Sequence, residues 1–351
     1  MVTPPAFDIH FGGSDLPADR LRDLLAERIA EVPEGGAIDW VTYYFRDRRL
    51  AAELLRAHHR GVRVTVTLDG RPRTAHANDQ VVAMLAGPNG LEDGLRIITL
   101  AGIPTLNGRR WNPHLHEKLY CFSHPQPVAY IGSFNPSGDN PEEQPEVIRD
   151  IGDQDRGHNV LVGIYDPILV DHLRANVRWI HKARYPLFHR FSRVANRCYR
   201  GEDTEIYFWP RMRPHPVMKF LNRIAPGAHI RMAASHIKGG AIARALRGLS
   251  RRGARLEIIA GATERRVPAA VEQKFRHAKV AFRRVGGGDG LPMHNKFVLA
   301  EKDGRRWTIF GSFNWTTRSY WLNHEIGAIS SNRGLWEAFS GRWEQMIKQG
   351  N

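Results

Sequence analysis

Two α/β repeats in tandem are the fold that the sequence predicts, on three observations. A His-x-Lys followed by Gly-Ser-Phe-Asn occurs twice, from His116 to Asn135 and from His294 to Asn314. A strand-helix-strand pattern precedes each copy, with Gly61 closing the first helix and Gly253 the second. The spacings agree as well: Gly132 follows His116 by 16 positions and Gly311 follows His294 by 17, while Gly36 to Gly61 is 25 positions and Gly227 to Gly253 is 26. A match at this level points to internal duplication, which has to be found before any single motif is read.

In the first repeat, Trp40 to Phe45 is rich in β-branched and aromatic residues and predicts a strand. Leu50, Leu54 and Leu55 fall at helical spacing, and Val62, Val64 and Val66 alternate as in a strand. The second repeat has a strand near Ile230 to Ala234, a helix carrying Ile242, Leu246 and Leu249, and a strand from Leu256 to Ala260. One more strand follows in each, LRIITL near residue 95 and VAFRRV near residue 280. Even the openings correspond, DIHFGGS at the start and EIYFWPR near residue 205. Right-handed crossovers then predict two mostly parallel mixed sheets, each flanked by helices, related by a pseudo-twofold axis with one active site between them. The domains expected are residues 1–180, a basic connector 181–202, and 203–351. In the connector, Phe188, Phe191, Ala195 and Cys198 lie near one helical face, with Arg190, Arg193 and Arg197 elsewhere. Such a helix either lies on a membrane surface or packs between the repeats.

Composition narrows the classes. The 351 residues are 42% hydrophobic and 25% charged, values of a folded globular chain rather than a disordered one. Two cysteines, Cys121 and Cys198, are too few for a disulfide framework. No apolar run suits a membrane-spanning helix, and no secretory leader is expected from MVTPPAFDIHFGGSD; a cytoplasmic location, with peripheral membrane contact, is the expectation. Charge is unevenly placed. Residues 1–175 carry 18 Lys+Arg against 24 Asp+Glu, whereas residues 176–351 carry 33 against 12. The basic second half suits a polyanion: nucleic acid, an anionic membrane surface, or a phosphorylated substrate.

Residues at i and i+2 of an extended chain point to one side, so His116 and Lys118 share a face, as do His294 and Lys296. Each Gly-Ser-Phe-Asn follows an apolar run that predicts a strand, where Ser133 and Asn135, or Ser312 and Asn314, could hold phosphate oxygens. Two imidazoles and two ammonium groups around one cleft suit phosphoryl transfer. One His attacks phosphorus, the other protonates the leaving oxygen, and the Lys and Asn groups stabilise the added negative charge.

These residues resemble the phospholipase D superfamily, whose signature is His-x-Lys-x4-Asp followed by Gly-Ser-x-Asn, twice per site. The second half is the closer match, and its Gly-Ser-x-Asn, Arg318-Ser319 and Asn323-x-Glu325 resemble cardiolipin synthase-like members. The resemblance implies a covalent phosphohistidine on His116, with His294 as general acid and then base. It implies no metal and no cofactor. The signature Asp is replaced by Ser123 and by Glu301. A separate carboxylate is expected to orient each imidazole: Glu325 for His294, and one of Asp150, Asp153 and Asp155 for His116. In that comparison Asn323-His324-Glu325-Ile326-Gly327 is set against Asn159-Val160-Leu161-Val162-Gly163, which has no acid.

The expected activity is metal-independent phosphodiester hydrolysis or phosphatidyl transfer on a phospholipid. Support comes from the cardiolipin synthase-like second motif and from Trp111, Trp315, Tyr320 and Trp321 near the motifs, where they could meet acyl chains. A nuclease using the same two histidines is the alternative, favoured by the basic second half and by arginine pairs such as Arg251-Arg252 and Arg283-Arg284. A silent anion-binding module is the third. With both motifs in one chain, a monomer suffices.

Overall fold

The structure is a computed structural model, and it describes residues 6–104, 110–137, 156–212, 215–285 and 291–349. It divides into two compact units, Met1–Phe188 and His189–Asn351.

In the first unit the strands are β1 (Phe7–Phe11), β2 (Ala37–Thr42), β3 (Arg63–Asp69), β4 (Leu95–Ile98), a short ribbon of β5 (Ile103–Pro104) and β6 (Arg110–Trp111), β7 (Leu119–Phe122), β8 (Val128–Gly132) and β9 (Val160–Ile164). Seven form one sheet in the order β1-β9-β8-β7-β2-β3-β4. The second unit has β10 (Tyr199–Arg200), β11 (Thr204–Trp209), β12 (His229–Ala234), β13 (Arg255–Gly261), β14 (Ala281–Val285), β15 (Lys296–Lys302), β16 (Arg305–Gly311) and β17 (Glu325–Ser330). Their order is β10-β11-β17-β16-β15-β12-β13-β14. Apart from β10 at the edge, the second order is the first, strand for strand. The duplication read from motif spacing is therefore a duplication of topology.

The two α/β repeats are those expected, with a smaller parallel share. Parallel pairing is confined to β2-β3-β4 and β12-β13-β14, and the other strands of both sheets pair antiparallel. The physical reason is connection length. The helices Arg48–His59 and Ala241–Arg251 are crossovers that bring the chain back parallel, whereas β7-β8 and β15-β16 are joined by short turns that reverse it.

The crossover helices follow their sequences. Asp47 caps the first by accepting from Leu50 N at 2.9 Å, and Leu50, Leu54 and Ala57 turn into the core. Ile242, Leu246 and Leu249 do the same in the second. Gly61 (φ +86°) and Gly253 (φ +93°) occupy the left-handed region that ends each helix. The opposite face of each sheet receives a longer helix, Pro167–Lys182 or Arg333–Gln349. The first strand ends at Thr42 rather than Phe45, so Tyr43 and Tyr44 leave the sheet at its carboxyl end.

The connector is not one helix with one apolar face. It is a 3-10 helix, Pro186–Phe191, followed by a short α-helix, Arg193–Asn196. Ala195 is buried, while Phe188 and Phe191 are exposed. No helix among the described residues is long and apolar enough to cross a membrane.

Candidate active site

Both His-x-Lys segments sit where an extended chain enters a central strand, β7 in one unit and β15 in the other. Alternation decides the rest. Between His116 and Lys118, Glu117 turns to the opposite side and accepts from Asn176 Nδ2 of the helix Pro167–Lys182 at 2.8 Å. Between His294 and Lys296, Asn295 turns the same way and meets Met346 Sδ of the helix Arg333–Gln349 at 3.5 Å. The middle residue thus anchors each segment, leaving His and Lys together on the other side.

Each lysine is then fixed by its own histidine. Lys118 Nζ donates to the His116 carbonyl at 2.8 Å, and Lys296 Nζ donates to the His294 carbonyl, also at 2.8 Å. Both lysines are buried, and His116 and His294 are 9% and 7% exposed.

The Gly-Ser-Phe-Asn turns are built alike. A Cβ on Gly132 would lie 2.0 Å from the Val160 carbonyl oxygen, and one on Gly311 2.2 Å from that of Ile326, so only glycine lets the strands close. The next residue uses that approach: Ser133 N donates to Val160 O and Ser312 N to Ile326 O, both at 2.9 Å. Ser133 Oγ accepts from Val160 N and donates to Asn159 Oδ1 at 3.0 Å. Ser312 Oγ accepts from Ile326 N and donates to Glu325, whose other oxygen accepts from Asn323 Nδ2 at 3.2 Å. Asn135 Oδ1 accepts from Tyr44 N at 3.4 Å, and Asn314 N donates to Ser319 Oγ at 3.2 Å.

This register corrects the sequence comparison by two residues. Gly132 faces Leu161 while Gly311 faces Gly327, so the counterpart of Glu325 is Asn159, not Leu161. Matching Gly163 to Gly327 by residue type produced the slip. The first half carries an amide where the second carries an acid. Asp150, Asp153 and Asp155 lie outside the described residues. Ser123 accepts from Ala37 N at 2.7 Å, a bond that ties β7 to β2, and Glu301 is a surface partner of Arg306 at 3.7 Å.

Several neighbours were not read from the sequence. Tyr43 packs against His116 and His114, ring centroids 5.1 Å away in each case, with Lys118 Nζ 5.4 Å from its own ring centroid. Burial pushes its phenol well above the usual range, with Tyr44 and Asp69 adding to the shift. Asp69, at the end of β3, accepts from Leu115 N at 2.7 Å and lies 3.6 Å from His114 Nδ1. The equivalent place at the end of β13 is Gly261, and the side chain of Arg266 fills it. Arg266 donates to Ser235 Oγ at 3.0 Å and to the Met293 carbonyl at 3.4 Å. The residue before each histidine is thus held by an anion in one half and by a cation in the other. Of the aromatics expected at an interface, Trp315 and Tyr320 are core, whereas Trp111 and Trp321 are 40% and 44% exposed.

A family model described as "Cardiolipin synthase, PLD-like domain" matches residues 35–176 and 222–347, one segment in each unit. The chain belongs to this phospholipase D-like family. Among solved structures, a phosphatidylserine synthase from Haemophilus influenzae Rd KW20 is similar over 97% of this chain and 86% of its own, at TM-score 0.60 and 14% identity. A polyphosphate kinase from Porphyromonas gingivalis is similar over 97% of this chain at TM-score 0.63 and 11% identity, and this chain spans 50% of its length. Nuc from Salmonella typhimurium, described as a phospholipase D family member, matches 49% of this chain and 92% of its own, at TM-score 0.35 and 19% identity. No curated protein matches the sequence. At these identities the synthase and the kinase share a fold with this chain.

Proposed function

We propose that this phospholipase D-like protein is a phosphodiesterase or phosphatidyltransferase acting on a phospholipid. His116 attacks phosphorus through a ring nitrogen, and the bond to the leaving oxygen breaks as His294 gives that oxygen its proton. Water or an alcohol then attacks the phosphohistidine, giving its proton to His294 as the new P–O bond forms and the P–N bond breaks, which frees His116 and releases the product. Lys118, Lys296, Asn135 and Asn314 hold the phosphoryl oxygens as charge builds in the transition state. Glu325 orients His294 and favours its cationic form. Ser133 and Ser312 act as braces, since each hydroxyl is engaged within the protein.

The observation that carries this reading is the repetition of three features: the buried lysine bonded to its histidine's carbonyl, the anchored middle residue, and the glycine-dependent turn. A module that only bound anions would have no need of a buried imidazole in each copy. The lipid substrate is favoured by the family match and by Trp111 and Trp321, whose exposed rings belong to the segments leading into and out of the motifs.

The test is one incubation in EDTA with labelled phospholipid vesicles, ethanol and labelled single-stranded DNA, run beside His116→Ala. Phosphatidylethanol formed by the unmutated protein alone is expected. Cut DNA with untouched lipid would replace the lipid reading with the nuclease, and neither product would leave the silent module.

A further inference from the structure

We propose that the segment 182–197 is a docking surface for an anionic lipid bilayer, built on an aromatic ridge. A 3-10 helix has three residues per turn, so side chains at i, i+3 and i+6 stand in one line. Tyr185, Phe188 and Phe191 hold those positions around the 3-10 helix Pro186–Phe191, with Phe188 N donating to Tyr185 O at 3.0 Å. All three point outward, at 59%, 58% and 62% exposure. Aromatic side chains this exposed leave much apolar area in water, and a row of them marks a surface that meets something apolar. The ridge is fixed from beneath: His189, on the other side of the same turn, is fully buried and stacks on His324 with ring centroids 4.9 Å apart.

Charge says what the ridge meets. No Asp or Glu occurs between Asp171 and Glu202, while Lys182, Arg184, Arg193 and Arg197 are exposed around the ridge. Two apolar rings and a tyrosine beside Lys and Arg suit the headgroup layer of an anionic membrane, where rings enter the acyl boundary and cations stay with lipid phosphates. A single-stranded nucleic acid would need open ring faces on which to stack successive bases. Here Tyr185 and Phe188 meet edge to face, at 6.1 Å and 76°. Arg184 and Arg190 lie over the Tyr185 and Phe191 rings at 5.5 and 6.0 Å. An arginine thus already lies over one face of Tyr185 and one face of Phe191, and the Tyr185–Phe188 pair engages a further face, which leaves fewer open faces for bases than three separate rings would.

This surface adds a partner to the lipid reading, and it is tested apart from the chemistry by using the full chain carrying His116→Ala. Cosedimentation with phosphatidylcholine vesicles, with and without phosphatidylglycerol, should show binding that phosphatidylglycerol strengthens. In that background Tyr185→Ser/Phe188→Ser/Phe191→Ser should weaken binding by about tenfold or more, with near-ultraviolet circular dichroism unchanged. Arg184→Gln/Arg193→Gln/Arg197→Gln should remove the preference for phosphatidylglycerol. Equal binding by the aromatic variant, or no binding by the parent, would overturn the surface while leaving turnover on lipid to stand or fall by itself. Ridge-dependent retention on single-stranded DNA, with vesicles left free, would overturn it in favour of nucleic acid.

Discussion

Tyr43 is the residue that sequence reasoning had least chance of finding. It was read as the middle of a strand because Trp40 to Phe45 has strand composition, and composition does not say where the strand stops. The sheet ends at Thr42, and the next ring closes over His116 and Lys118. Its contacts with His116 and Lys118 are made by the ring, while its hydroxyl accepts from Arg73 N at 2.6 Å, so Tyr43→Phe should keep most activity at some cost in stability. Tyr43→Ala should lower kcat by about 10- to 100-fold through misplacement of the imidazole. Steady-state kinetics on the two variants would check this, and equal rates would leave the ring no positioning role. Glu325 allows a sharper test. Gln at that position can still accept from Ser312, so the brace stays while the charge goes. Glu325→Gln is expected to lower kcat on the order of a hundredfold with little change in KM. An unaltered kcat would remove the acid from the mechanism.

At the scale of elements, the paired turns were legible because both their parts are local. Glycine where strands approach within carbonyl contact, and serine directly after it, are fixed by position in the chain. Gly132→Ala would place its Cβ 2.0 Å from the Val160 oxygen, and should destabilise the first unit by about 3 kcal/mol. Gly341→Ala, in open space on the helix Arg333–Gln349, is the control and should stabilise by about 1 kcal/mol. Thermal or urea unfolding of both variants would decide, and a silent Gly132→Ala would mean that the strands part easily. The register of β9 and β17 was not legible, because sequence alone offered only residue types to align. Two glycines invited the wrong match, and only strand pairing sets Asn159 against Glu325. The parallel share of the sheets was overread for a related reason: crossovers are conspicuous in a sequence, whereas hairpin reversals at β7-β8 and β15-β16 are short.

For the whole molecule, charge and duplication gave the outline, while buried polar groups gave no sign of themselves. His189 and His215 are held well below their ordinary value of 6.5, both chiefly by burial, with His324 and Arg211 respectively adding to it. The unfolded chain therefore takes up these protons first as pH falls below 6.5. Stability should be full above that value and decline beneath it, until the folded pKa of each is reached, by up to about 1.4 kcal/mol per pH unit for each group. His215 stacks on Tyr320 at 3.7 Å and on Trp209 at 4.6 Å, so a phenyl ring can take its place. Urea unfolding of His215→Phe at about pH 7.5 and about pH 5.5 should show a smaller pH dependence than the parent. An unchanged slope would place the titrating groups elsewhere.

Equivalent positions of the two repeats carry an amide, Asn159, and an acid, Glu325. Had the same half-site been assembled from two copies of a shorter chain, every substitution would have appeared on both sides at once. An acid lost from one would have been lost from its twin. Two copies in one polypeptide are free to diverge, and the divergence is visible at two equivalent positions: amide against acid beside the serine, and Asp69 against Arg266 at the residue before the histidine. Division of labour between the halves, with one suited to attack and the other to proton transfer, is open to a fused chain and closed to a symmetric pair.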